Sequence, residues 1–285
     1  MMRRALLVTA LVAGVACSSP TTRRVFEGPD LPQLVVTVTT DPPALADGVA
    51  RDARFRITFD DYPDPETANF GPLLLRSGSG NFDAVLSIDL VGRAILIQPR
   101  TLLQPDTTYE VVIDPTVAAL SGRVTGRTIS NQFTTGGSTA NLPAPDPVPW
   151  KGDDGVATLL ASCQGRCHSV DLPSRRLRLD FVFDSSGNPV GADPNDPAFG
   201  IINVPSVGLA GTIDPLPRVQ PGNSARSDLL RKVLGGNHQE EPADAPPYPQ
   251  MRVDGVRMPP GGVYWTDDQS ARLQRWIDQG AHPDL

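Results

Sequence analysis

Phe82-Asp83-Ala84-Val85-Leu86-Ser87-Ile88-Asp89-Leu90 places an apolar residue at every second position, the two-residue period of a strand that buries one face. Phe55, Ile57 and Phe59 alternate in the same way with Arg54, Arg56 and Thr58, and Tyr109, Val111 and Ile113 form a third set. Shorter apolar runs at 34–39, 73–75, 95–97 and 129–135 are separated by Pro, Gly and Asp, the residues that punctuate strands. About seven short strands at this spacing predict an antiparallel β-sandwich for the N-terminal half.

The pattern changes further along the chain. Residues 137–152 begin with Gly137-Ser138-Thr139-Ala140-Asn141-Leu142-Pro143-Ala144-Pro145-Asp146-Pro147, whose Pro and small polar content reads as a linker. From residue 153 the period becomes helical, with Val156, Leu159, Leu160 and Cys163 on one face and Leu229, Leu230, Val233 and Leu234 on another. Thr266 with Gln269 predicts a capping box, Asp267 and Asp268 suit the positive end of a helix, and Gly280 suits its stop. That helix buries Leu273, Trp276 and Ile277. Residues 171–222 are rich in turn signals, and Trp150 and Trp265 read as packing anchors. The oxygen-rich stretch 184–196 lacks the regular spacing of a calcium loop and reads as a solvated loop.

The chemistry-bearing residues lie in this second half. Cys163-Gln164-Gly165-Arg166-Cys167-His168 sets two thiols beside an imidazole, and Met258-Pro259-Pro260-Gly261-Gly262 supplies a thioether on a stiff loop. Two cysteines, a histidine and a distant methionine are the groups that a covalently held haem requires. Prolines after Met258 donate no backbone hydrogen bond and cannot extend a helix, which fixes the thioether in place. Met251 is a weaker candidate for the same role, and His238 is the alternative ligand of a bis-histidine site. A Cys163–Cys167 disulfide is the competing reading for an exported chain, and a two-thiol metal site a third, for which no second cysteine pair is present. No Gly-rich phosphate loop, nucleophile elbow or His-Glu-x-x-His helix occurs.

Residues 1–16 read as an export signal: Arg3 and Arg4 precede about twelve apolar or small residues that end at Ala16. That run falls short of the roughly 20 residues needed to span a bilayer. Gly14-Val15-Ala16-Cys17 resembles a bacterial lipoprotein signal, which implies cleavage before Cys17, acylation of Cys17 and a tether over 17–31. Ser18 and Ser19 would by the same resemblance favour the outer membrane. Loss of Arg3 and Arg4 with the leader leaves 23 basic against 32 acidic residues. A body this acidic repels nucleic acid, so no nucleic-acid partner is expected.

Two further resemblances organise the body. Thr40-Asp41-Pro42-Pro43, Ile57-Thr58-Phe59, Leu103-Gln104-Pro105-Asp106-Thr107-Thr108-Tyr109 and Phe133-Thr134-Thr135-Gly136 resemble the bacterial immunoglobulin-like domain over 32–136. This implies a spacer or adhesive module without catalytic residues. Residues 153–285 are similar to a c-type cytochrome domain. The resemblance rests on the cysteine-histidine motif, Val219-Gln220-Pro221-Gly222-Asn223 before Ser227-Asp228-Leu229-Leu230, the Met258-Pro259-Pro260-Gly261 loop and the closing Trp276-Ile277-Asp278-Gln279-Gly280-Ala281. It implies one covalent haem c with thioethers from Cys163 and Cys167 and axial ligands His168 and Met258. Three residues separate the cysteines here, where the family has two. The expectation is thus a mixed two-domain fold, an all-β immunoglobulin-like sandwich followed by a mostly α cytochrome c-like domain with long loops. The expected role is an exported electron carrier rather than an enzyme, with redox protein partners and a lipid anchor in the cell envelope; a haem enzyme, which would need an open sixth position that the candidate Met258 argues against, is a third reading. The alternative is a haem-less structural or adhesive surface lipoprotein.

Overall fold

The structure, a computed structural model, describes residues 32–41, 47–68, 71–78, 80–163, 168–169, 176–185, 190–207, 213–235, 258 and 264–283. The export signal, Cys17, Cys167, His238 and Met251 lie outside the described residues.

The N-terminal half forms two facing sheets. The first orders its strands β1 (Val36–Asp41), β3 (Arg54–Phe59), β7 (Ala94–Pro99) and β6 (Ala84–Asp89), all antiparallel. The second runs β2 (Asp47–Val49), β9 (Ile129–Thr135), β8 (Thr108–Ile113), β4 (Leu73–Ser77) and β5 (Gly80–Phe82). Its β2–β9 pair is parallel and the others antiparallel, so the expected all-antiparallel pairing fails at this one edge. Phe55, Ile57, Ile95 and Ile97 of the first sheet meet Leu75, Tyr109, Val111 and Phe133 of the second in one apolar core. The Phe55 and Phe133 rings approach to 4.4 Å between centroids.

The run that opens at Phe82 does more than supply one strand. Phe82 ends β5 in one sheet, whereas Ala84 starts β6 in the other, so the chain crosses the sandwich at Asp83. β6 keeps the apolar period through Ala84, Leu86 and Ile88, whereas β5 contributes only Phe82 to it. Leu90, at the end of the run, is fully buried in a second core with residues of the C-terminal half.

That half differs from the expectation of a mostly α domain. Among the described residues its α-helices are α1 (Val156–Ala161), α2 (Asp228–Leu234) and α3 (Asp267–Asp278), of six, seven and twelve residues. A two-stranded sheet, β10 (Pro205–Val207) with β11 (Ile213–Pro217), and a 3-10 turn at Ser224–Arg226 join them. Pro194, Pro197, Pro205, Pro215 and Pro217 explain the shortage of helix, since proline lacks the N–H and clashes inside a helix. Helix α3 forms as its sequence dictates. Thr266 accepts from the Gln269 N–H while Gln269 Oε1 accepts from the Thr266 N–H, and Gly280 ends it at φ +105°.

Residues 32–283 belong to one compact unit rather than two bodies on a free tether. Asp52 of the sandwich accepts the Ala140 and Asn141 N–H groups at 2.6 and 2.8 Å. Val148 donates to Gln279 Oε1, and Trp150 is buried and stacked on Trp276 at 4.9 Å. The stretch with linker composition therefore runs as a strap whose end is part of the second core. Tyr62 and Leu90 enter that core from the sandwich. Gln274 of α3 accepts from the Val91 N–H and donates to Asp89 Oδ1, both at 3.0 Å.

Candidate functional site

Cys163 lies just beyond α1. The helix ends at Ala161 with Ser162 as its cap, and the Cys163 N–H reaches back to the Leu160 carbonyl at 2.9 Å. The helical face expected to carry Cys163 with Val156, Leu159 and Leu160 therefore stops short of the cysteine. The turn is held by Ser162, whose hydroxyl donates to the Leu159 carbonyl at 2.7 Å and accepts from Trp265 Nε1 at 2.9 Å. Trp265 is thus more than the packing anchor read from the sequence, because it fixes the residue beside the cysteine. The sequence holds no signal for this pairing, since the two residues lie about a hundred positions apart.

The Cys163 side chain points into the second core and is 5 % exposed, with its thiol free. Burial pushes the thiol pKa up to about 11, against a weak opposing contact from Ser162. The sulfur is therefore neutral at physiological pH. A thioether sulfur is likewise neutral and apolar, so the pocket suits one; a thiolate ligand would need the opposite shift.

Met258 reaches the same core from another direction. Its N–H donates to the Lys232 carbonyl at 2.9 Å, one of the last carbonyls of α2, which the helix itself leaves without a partner. The Met258 side chain packs against the core that contains Cys163, Leu229, Leu230, Val233 and Trp265. His168 is buried as well, at 6 % exposure, and its carbonyl accepts the N–H of Leu179, a member of that core. Of the described members of the predicted donor set, the Cys163 thiol and the Met258 thioether thus share one apolar core, and buried His168 is tied to that core through its backbone carbonyl. Soft or neutral donors set in apolar walls fit a haem. Cys167 and the alternative ligand His238 lie outside the described residues.

In the described part of the 184–196 stretch, Asp193 and Asp196 accept backbone N–H groups two residues on, the local bonding of a solvated loop. Arg218 is a buried charge that the sequence reading passed over. Burial lowers its pKa to about 10, with Asp228 pulling the other way, and its guanidinium donates to the Gly200 carbonyl. Among the described residues no helix is long and apolar enough to cross a membrane.

With this geometry in hand, comparison with known proteins decides one half of the chain. The bacterial Ig-like domain family matches residues 32–135, the extent of the two-sheet sandwich. The N-terminal half carries a bacterial Ig-like domain. This match supports an extracellular or cell-envelope protein. No curated protein matches the chain. Among solved structures, the N-terminal part of the bacterial S-layer protein SbsC is 17 % identical, with a TM-score of 0.29, over 40 % of this chain and 25 % of that one. The copper-resistance protein PcoC of Escherichia coli is 16 % identical, with a TM-score of 0.25, over 36 % of this chain and 97 % of PcoC. The chain thus spans about a quarter of the S-layer fragment. Likeness this low says nothing of activity. The family match ends where the strap begins.

Proposed function

We propose that the protein is an exported, lipid-anchored electron carrier of the cell envelope. In this reading the Ig-like domain forms a fixed mount for a C-terminal module that holds one covalent haem. Cys163 and Cys167 would provide the thioethers, His168 and Met258 the axial ligands, and Cys17 the lipid anchor. The observation that carries the reading is that Cys163 and Met258 share one apolar core, with buried His168 tied to it through the bond from the Leu179 N–H to its carbonyl. Haem, when bound, supplies a one-electron couple.

The chain's own residues then do three things. The Ser162–Trp265 hydrogen bond orients the first cysteine, and the Lys232 carbonyl holds the Met258 backbone. The aliphatic and tryptophan walls exclude water, which together with sulfur ligation raises a redox potential. Nothing in this arrangement calls for bond chemistry on a substrate. Redox proteins are the partners this reading requires, and the acidic body argues against nucleic acid.

A pyridine haemochrome spectrum of denatured, solvent-washed protein, expressed with export and cytochrome maturation intact, tests the proposal. A c-type band at one haem per chain is expected. Met258→Ala should then keep the haem attached and lower its potential; an unchanged potential would remove Met258 from the ligand set. The second reading, a haem-less structural or adhesive lipoprotein, draws on the direct packing of the second core against the Ig-like domain. A colourless protein with Cys163 and Cys167 joined would establish it.

A further inference from the structure

We propose that the cleft between the Ig-like domain and the C-terminal core binds a small aliphatic primary ammonium ion, with Asp278 as its counter-ion. Pro65, Ala68, Leu86 and Ile88 form one wall, and the Ser224–Arg226 turn with Asp278 forms the other. The cavity measures about 190 Å³. That is room for roughly six waters at ~30 Å³ each, and less than the ~300 Å³ at which pockets for drug-sized ligands begin.

Charge decides the sign of the ligand. Arg226 pairs with Glu66, and Asp89, the last residue of β6, pairs with Arg56 at 2.7 Å. Asp278 has no ion-pair partner among the described residues, so one negative charge in the cleft is left uncompensated. Its Oδ1 accepts the Ser224 N–H at 2.9 Å, which holds the carboxylate in place while the residue remains exposed to the cleft. Crowding by protein atoms pushes the Asp278 pKa upward, bonds from Ser224 oppose this, and Asp89 adds to the push. Each of these raising influences is relieved by a cation beside the carboxylate. The aliphatic wall opposite receives a short alkyl chain, which a bare metal ion would leave unused. One carboxylate is also a poor set of ligands for a divalent cation, which takes six or more oxygens.

Amide chemical shifts of the full chain, followed during titration with n-propylammonium chloride, test the site. Saturable shifts confined to Ser87, Asn223, Ser224 and Arg226 are expected, with a dissociation constant on the order of 1 mM. Sodium propionate at the same concentrations should leave these residues unmoved. Asp278→Asn, which keeps the acceptor for Ser224, should weaken binding at least tenfold, as should lowering the pH through the Asp278 pKa. Ala68→Leu narrows the cleft from the opposite wall with the carboxylate intact and should also abolish the shifts. Equal response to propionate, unsaturable shifts, or full binding by either folded variant would overturn the proposal.

Discussion

The two cores of this molecule are built by different means. In the Ig-like domain, six of the nine strands run six or seven residues and pair in long registers, and in strands such as β3 every second side chain turns inward. Each residue there is fixed by backbone pairing and by burial together. The second core has helices of six, seven and twelve residues, a two-stranded sheet and a strap. It holds together largely by side-chain packing, and it takes Tyr62 and Leu90 from its neighbour to do so. A core with little regular pairing depends on each large side chain more heavily than one stitched by β-ladders.

The largest test of that difference is Trp276→Ala. Trp276 is 1 % exposed and stacks on Trp150, so truncation should cost about 3–5 kcal/mol. Hydrogen exchange should show α1 and α3 losing protection while β3, β7 and β8 keep theirs. Equal loss in both regions would mean that the two cores open as one.

Leu90→Ala asks the same question from the other side. Leu90 belongs to the Ig-like segment in sequence and to the second core in space. Its truncation should cost about 2–5 kcal/mol, and the loss should appear in α3 before it appears in β8 and β9. If the strands open first, Leu90 serves the sandwich after all.

Gln274→Ala sharpens the comparison at the seam. The change leaves the half-buried Val91 N–H and Asp89 without their 3.0 Å partner, a loss of about 1 kcal/mol. Limited proteolysis should cut the 137–152 strap sooner in this variant. Unchanged cleavage would show that apolar packing alone holds the seam.

How far the sequence foretold each region follows from the same physics. Alternation at Phe55, Ile57 and Phe59 and at Tyr109, Val111 and Ile113 gave strands with the right faces, because a period of two is a local property. The crossing at Asp83 was hidden, since one unbroken alternation served two strands in different sheets. The cap of α3 was readable from Thr266 and Gln269 for the same local reason. The docking of the strap, the Ser162–Trp265 bond and the seam at Gln274 were not, because each joins residues about a hundred or more positions apart. Of the candidate site, the sequence supplied the residue types, and the structure added the core that Cys163 and Met258 share, with the His168 carbonyl bonded to one of its members.

The smallest expected effect concerns pH, and it sets one carboxyl of each region side by side. Asp61, fully buried in the Ig-like domain, is raised by burial against bonds from Ser121 and the Tyr62 N–H and the charge of Arg123. Asp278, beside the second core, is raised by crowding against the bonds from Ser224. A carboxyl whose pKa is higher folded than unfolded gives its full stabilisation below the unfolded value of about 3.9. That contribution is lost as the pH rises through the folded value. Both groups therefore make the native state slightly less stable at neutral pH than at mildly acidic pH. Asn at either position should flatten this part of the melting-temperature profile. Asp278 is open to solvent, which screens it, so Asp278→Asn should flatten the profile less than Asp61→Asn. A larger effect at Asp278 would mean that the cleft is drier than its exposure implies, and would place the pH sensitivity of the molecule at the seam rather than inside the sandwich.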